Sequence, residues 1–178
     1  MPRTLYFYPF RDKTIDSGFV GDISAKTALH FVAPTLAKNK FAYLWKMDQG
    51  GGTFAKYIGN NDRIYVLGHC SPGSHELSNG TGGVCSFYTL ATILSNHGLP
   101  KASHAHIRIH ACNSGASSPP GAEYQPSFAE GLKRELKRLS HDNVTVRGYE
   151  SGMGYYFIIR EGQTPFTNAS NSSNVRDF

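Results

Sequence analysis

The sequence predicts one α/β domain built on a mostly parallel sheet, and three observations predict it. Short apolar runs rich in β-branched and aromatic residues recur along the chain. Segments with apolar residues at helical spacing stand between them. The connections are long enough for the crossovers that parallel neighbours require. A length of 178 residues fits one domain, and a core of that size needs no disulfide staple.

Taken in order, Thr4 to Phe10 is an aromatic-rich strand. Ile23 to Lys38 is mixed: Ala28, Leu29, Phe31, Val32 and Leu36 line a helix face that Pro34 interrupts. Phe41 to Met47 is an apolar run open to either element, Gly50-Gly51-Gly52 marks a turn, and Thr53 to Ile58 reads as a short helix. Arg63 to Gly68 is a buried strand bounded by Asn60-Asn61-Asp62 and by its own glycine. Ser71 to Val84 has five glycines or prolines in fourteen positions and reads as loop. Phe87 to Asn96 carries Phe87, Leu90, Ala91 and Leu94 on one helical face, with Gly98 just past the last turn. His106 to Ala111 is a second buried strand, followed by Cys112, the turn Asn113-Ser114-Gly115 and a loop over Ser117 to Gln125. Pro126 to Ser140 is the strongest helix, with Phe128, Leu132, Leu136 and Leu139 in one stripe and Pro126 suited to its first turn. Val144 to Tyr149 and Tyr155 to Arg160 are later strands. Thr164 to Phe178 is polar, rich in Asn and Ser, and expected to be loosely ordered, so the domain is placed at 1–163 and a tail at 164–178.

Composition removes several classes. With 39% hydrophobic and 17% charged residues the chain is neither disordered nor membrane-spanning, and no run approaches the roughly 18 apolar residues of a membrane helix. The apolar stretch near Met1 is too short for a secretory signal, so the expectation is a mature protein starting there. That implies a cytoplasmic protein, or one delivered by a secretion system that reads no cleavable signal. Cys70, Cys85 and Cys112 form no C-x-x-C pair and argue for reduced thiols rather than a disulfide framework. The net charge of +5 allows weak attraction to acidic partners. Lys133, Arg134, Lys137 and Arg138 lack interleaved aromatics and read as a solvated face rather than a nucleic-acid surface.

Chemistry concentrates at two strand ends. His69 follows one buried strand and Cys112 follows the other, and ligands bind beyond the carboxyl ends of parallel strands. A free thiol is a weak nucleophile, and an adjacent imidazole holds it as thiolate. If the two strands are neighbours, the side chains meet in one crevice. The N–H groups of the turn after Cys112 would then face the oxyanion formed on attack.

The runs Ile64-Tyr65-Val66-Leu67-Gly68-His69 and Ile107-Arg108-Ile109-His110-Ala111-Cys112-Asn113-Ser114-Gly115 resemble those of the caspase-like cysteine peptidases of clan CD. That group includes caspases, gingipains, separase and the self-cleaving domains of large bacterial toxins. There too an apolar strand ends in His and a later one in Ala-Cys or Ser-Cys. Ser127-Phe128-Ala129 and the strand reaching Gly148-Tyr149 are similar to the toxin branch, and the likeness covers roughly residues 60 to 150. The resemblance implies a three-layer α/β sandwich with a mostly parallel sheet. It implies an endopeptidase with Cys112 as nucleophile, His69 as base and proton donor, and the backbone N–H groups of Cys70 and Cys112 as oxyanion hole. No cofactor or metal is implied, and the partner is a protein or peptide substrate. A bacterial effector or self-processing role follows by analogy only. Cys70 departs from the pattern, because the family often has Gly after the His.

By the same resemblance, substrate-pocket walls come from regions that hold Asp48, Glu123 and Glu150 against Arg11, Arg108 and Arg147. Acidic walls would select Lys or Arg, and basic walls Asp. Three rivals stand beside the peptidase. Cys70 as nucleophile would need a small residue where Pro72 stands. A zinc site could use His104, His106 and His110, or His69, Cys70 and His75. The last rival is a caspase-like binding module without catalysis.

Overall fold

The computed structural model describes residues 4–11, 39–44, 48, 54, 58–59, 61–150 and 175–178. The elements expected at 23–38 and at Tyr155 to Arg160 lie outside the described residues. The strands are β1 (Thr4–Tyr8), β2 (Asn39–Tyr43), β3 (Arg63–Leu67), β4 (Glu76–Ser78), β5 (Val84–Ser86), β6 (His106–His110), β7 (Thr145–Tyr149) and β8 (Val175–Asp177). The helices are α1 (Phe87–Asn96) and α2 (Phe128–Arg138).

Six strands form one sheet in the order β2-β1-β3-β6-β7-β8, and β4 and β5 form a separate hairpin. The first five strands of that sheet run parallel, and β8 is antiparallel to β7. The mixed α/β class and the mostly parallel sheet are therefore as the sequence predicts.

Alternation along the strands builds the core. Ile64, Val66, Ile107, Ile109 and Val146 are fully buried, while Arg63, Tyr65, His106, Arg108, Thr145 and Arg147 between them are exposed or half-buried. The buried set belongs to one cluster with Phe87, Leu90 and Leu94 of α1 and Phe128, Leu132 and Leu136 of α2. The units β3-α1-β6 and β6-α2-β7 advance in the same direction, so right-handed crossovers put both helices on one face of the sheet. There the two helices touch. A Cβ on Gly131 would come within 2.6 Å of the Phe87 ring, which explains a glycine in mid-helix despite its cost of about 1 kcal/mol. Toward the other end of the sheet Phe7 meets Phe54 edge-to-face at 5.0 Å.

Both helices start on serine caps. Ser86 Oγ accepts from the Thr89 amide and Ser127 Oγ from the Glu130 amide. The expected helix at Pro126 to Ser140 thus begins later, since Pro126 precedes the cap instead of occupying the first turn. Other differences have equally local causes. β1 stops at Tyr8, short of Phe10. The ambiguous run at Phe41 to Met47 overlaps β2. Of the short helix expected at Thr53 to Ile58, the bond from the Ile58 amide to the Phe54 carbonyl spans one turn (2.8 Å). The loop expected over Ser71 to Val84 contains the β4–β5 hairpin, held by Leu77 and Cys85, both buried. The tail expected at 164–178 contributes β8, whose Val175, Arg176 and Asp177 pair with Tyr149, Gly148 and Arg147.

The basic face is solvated at Arg134, Lys137 and Arg138, as expected, and only Lys133 departs from it. Lys133 Nζ donates to the carbonyls of Asp142 (2.9 Å) and Val144 (2.5 Å), which ties α2 to the approach to β7. Arg134 pairs with Glu130 and Arg138 with Glu135.

Candidate active site

β3 and β6 are hydrogen-bonded neighbours in parallel register, from Arg63↔His106 to Leu67↔His110. Partners are 43 positions apart, as the Tyr65–Arg108 pair illustrates. Two further steps along each strand reach His69 and Cys112. The residues that the sequence singles out therefore follow the C-terminal ends of two adjacent strands, each two positions past the last paired residues. Both side chains are partly buried.

Each tip is fixed by different means. His69 forms an isolated bridge to Ser78: its amide donates to the Ser78 carbonyl (2.8 Å), and the Ser78 amide donates back (2.9 Å). The hairpin after β3 thus folds over the strand it left and sets the backbone of His69. Gly68 permits this, because a Cβ there would lie 3.1 Å from that of Leu77. At the other tip the chain turns sharply. Asn113 takes a left-handed φ of 54°, the Ser114 amide reaches the Ala111 carbonyl (3.4 Å), and the Ala116 amide reaches that of Asn113 (3.0 Å). Asn tolerates that conformation better than most residues.

Two loops flank the tips. The Gly73 amide donates to the Ala116 carbonyl (2.9 Å), and His75 Nε2 is hydrogen-bonded to Gln125 Oε1 (2.8 Å). The segments that follow His69 and Cys112 are thereby clasped together.

Cys70 and Cys112 are half-buried and Cys85 is buried. Cys70 is pushed up to about 12, mainly by burial; a backbone hydrogen bond from Ser71 works the other way, and negative charge on Cys112 adds to the rise. Cys85 is also pushed up to about 12, by burial and then by Glu76. Both stay protonated at neutral pH, and the thiolate is the nucleophile. This counts against Cys70 as nucleophile. The amide of Cys70, by contrast, donates no hydrogen bond among the described residues. His110 is pushed down to about 4 by burial and sits edge-on to Tyr65 and Tyr149, each 6.2 Å away. It is a neutral core histidine.

The pocket candidates do not converge. Asp48 pairs with Arg11 (2.9 Å) and lies 3.4 Å from His97, in a groove of about 430 Å³ along the outer side of α1. His69 and Cys112 do not line that groove. Arg147 forms a two-pronged pair with Asp177 (2.5 and 2.6 Å), which raises the Arg147 pKa and lowers that of Asp177. Arg108 donates to the Tyr65 hydroxyl (3.2 Å). Glu123 is exposed on the loop that precedes α2, and Glu150, just past β7, lies 3.8 Å from Arg176. Of the zinc candidates, His104 and His106 are exposed while His110 is buried, and among the described residues no three His, Cys, Asp or Glu side chains gather.

One residue that the sequence reading treated only as turn-forming is central here. Ser114 is buried, and its hydroxyl bridges the ends of β6 and β7. Its only sequence signal is a small polar residue two positions after the cysteine. No helix among the described residues is long and apolar enough to cross a membrane. No protein-family model matches the chain, and no curated protein matches it at a significant level.

Proposed function

We propose that the chain is a cysteine endopeptidase with a caspase-like three-layer sandwich, Cys112 as nucleophile and His69 as base. The observation that carries this reading is that the two residues follow the C-terminal ends of adjacent parallel strands, each two positions past the paired residues Leu67 and His110. The clasped loops beside them and the silenced thiols of Cys70 and Cys85 support it.

In the first half-reaction the Cys112 sulfur gives its proton to His69 and attacks the peptide carbonyl carbon. The oxyanion takes hydrogen bonds from the amides of Cys70 and Cys112, and one such donor is worth about 10²–10³ in rate. The C–N bond breaks as His69 hands its proton to the leaving amine, leaving a thioester on Cys112. Water attacks the thioester while His69 takes its proton, the acid product leaves, and the proton returns to sulfur. Proton transfer of this kind contributes about 10²–10⁴. Every group required belongs to the chain.

The test is covalent labelling by a thiol-directed peptide inhibitor, with cleavage of a mixed peptide library in parallel. The adduct should map to Cys112 in the wild type, Cys70→Ala and Cys85→Ala. Cys112→Ala should show no adduct and lose cleavage by about 1000-fold or more. An adduct that persists in Cys112→Ala would falsify the assignment. A wild type with neither adduct nor cleavage would point to a binding module instead.

A further inference from the structure

We propose that Ser114 is a positioning residue for Cys112, its hydroxyl tying the turn that carries the thiol to the ends of β6 and β7 at once. The consequence for turnover rests on the peptidase reading above; the consequence for the sulfur rests on geometry alone.

Ser114 is fully buried. Its Oγ donates to the Ile109 carbonyl (3.0 Å) and accepts from the Tyr149 amide (3.1 Å). Its carbonyl accepts from the Ala129 amide (2.9 Å) in the first turn of α2. The next amide, that of Gly115, donates to the Tyr149 carbonyl (2.8 Å). The paired residues of β6 and β7 end at Arg108↔Arg147. Beyond that point Ser114 and Gly115 take over the bonds that a ladder would have made, so the turn is wedged between two strand ends.

The wedge has no slack toward β7. A Cβ on Gly148 would lie 2.6 Å from the Gly115 Cα, and one on Gly115 would lie 2.8 Å from the Gly148 carbonyl carbon. Only Asn113 separates Ser114 from Cys112, and it holds a left-handed φ of 54°. Alanine would fill the space of Ser114 but leave the Ile109 carbonyl and the Tyr149 amide without this partner, and buried polar groups do not accept that loss quietly. The turn would then re-seat, and the sulfur with it. A misplacement of about 1 Å costs up to about 10²-fold in rate.

The experiment compares full-length wild type, Ser114→Ala, Ser114→Cys and Ser86→Ala. Ser86 is the half-buried cap of α1, so its loss removes a helix-end hydrogen bond that belongs to neither β6 nor β7. The first readout is the rate of Cys112 alkylation by iodoacetamide, followed by peptide mass mapping across pH, with folding checked by circular dichroism. The second is kcat and KM on the best library peptide. Both Ser114 variants should shift the Cys112 alkylation rate by at least about fivefold and lower kcat about 10- to 100-fold, with KM within about threefold. Ser86→Ala should change the melting temperature and neither rate. Unchanged alkylation in folded Ser114→Ala would overturn the proposal, as would an equal effect of Ser86→Ala. If neither Ser114 variant folds, the residue is structural and the proposal fails. If the wild type cleaves nothing, the peptidase reading falls while the alkylation comparison still decides the role of Ser114.

Discussion

His110 and Cys112 stand two positions apart, yet His110 is buried and Cys112 is only half-buried. The His110 pKa falls from 6.5 to about 4 because its ring lies in the core with Tyr65 and Tyr149 on either side. A lowered folded pKa means that the unfolded chain binds the proton first. The neutral ring therefore contributes its full stability above about pH 6.5, and the contribution is lost as pH falls toward about 4. The amount is about 3 kcal/mol, and His141, also lowered by burial, acts in the same sense. Urea midpoints should drop across that window in the wild type and drop less in His110→Gln. Sequence located this histidine on a strand but could not tell a core ring from a ligand. Exposure of a strand face depends on what packs over it, and three histidines on one face look alike until then. The place of His69 and Cys112 after two neighbouring strands was legible because each follows a short apolar run. Ser114 was not, because bridging two strand ends is a property of three segments distant in sequence.

Helix ends are read more easily than hairpins. α2 finishes with Ser140 at a left-handed φ of 66°, with the Ser140 amide bonded to the Lys137 carbonyl (2.9 Å) and the His141 amide to that of Leu136 (2.8 Å). This closing turn favours glycine. Ser140→Gly should raise stability by about 1 kcal/mol, seen as a higher melting temperature with unchanged circular dichroism. By contrast Gly98, after α1, already has the favoured residue at φ 83°. Periodicity fixed both helices because each buries a continuous stripe. It missed β4 and β5, whose three-residue strands are too short for alternation to register. Their order comes from Leu77 in the core and from the bridge between Ser78 and His69, both long-range facts. The signal of Gly-rich sequence was a loop, and most of that segment is one.

At the scale of the molecule the sheet has a weak point at its far edge. β8 closes β7 through three residue pairs and the Arg147–Asp177 ion pair, and Phe178 adds main-chain bonds in both directions with Val146 (2.8 and 3.3 Å). Arg176 faces Gly148 in that ladder and stacks its guanidinium over the Phe178 ring at 5.1 Å. Arg176→Pro should open this edge, lower stability by about 3 kcal/mol and promote self-association, read by denaturant melts and light scattering. The parallel order of β1, β3, β6 and β7 was foreseeable, since helices alternate with strands. The antiparallel return of β8 was not, since a polar tail carries no pattern that names its neighbour.

The alignment of β3 with β6 also has an evolutionary side. The register that ends at Leu67 and His110 is set inside the ladder and is indifferent to how many residues the intervening chain contains. Codons gained or lost near Gly80 to Gly82, or in the connection before His106, would lengthen or trim the surface between the tips without sliding one past the other. A slip by one residue inside either strand would turn its side chains to the wrong face. Descendants of such a gene could therefore remodel the rim freely while the strand register beneath it is kept.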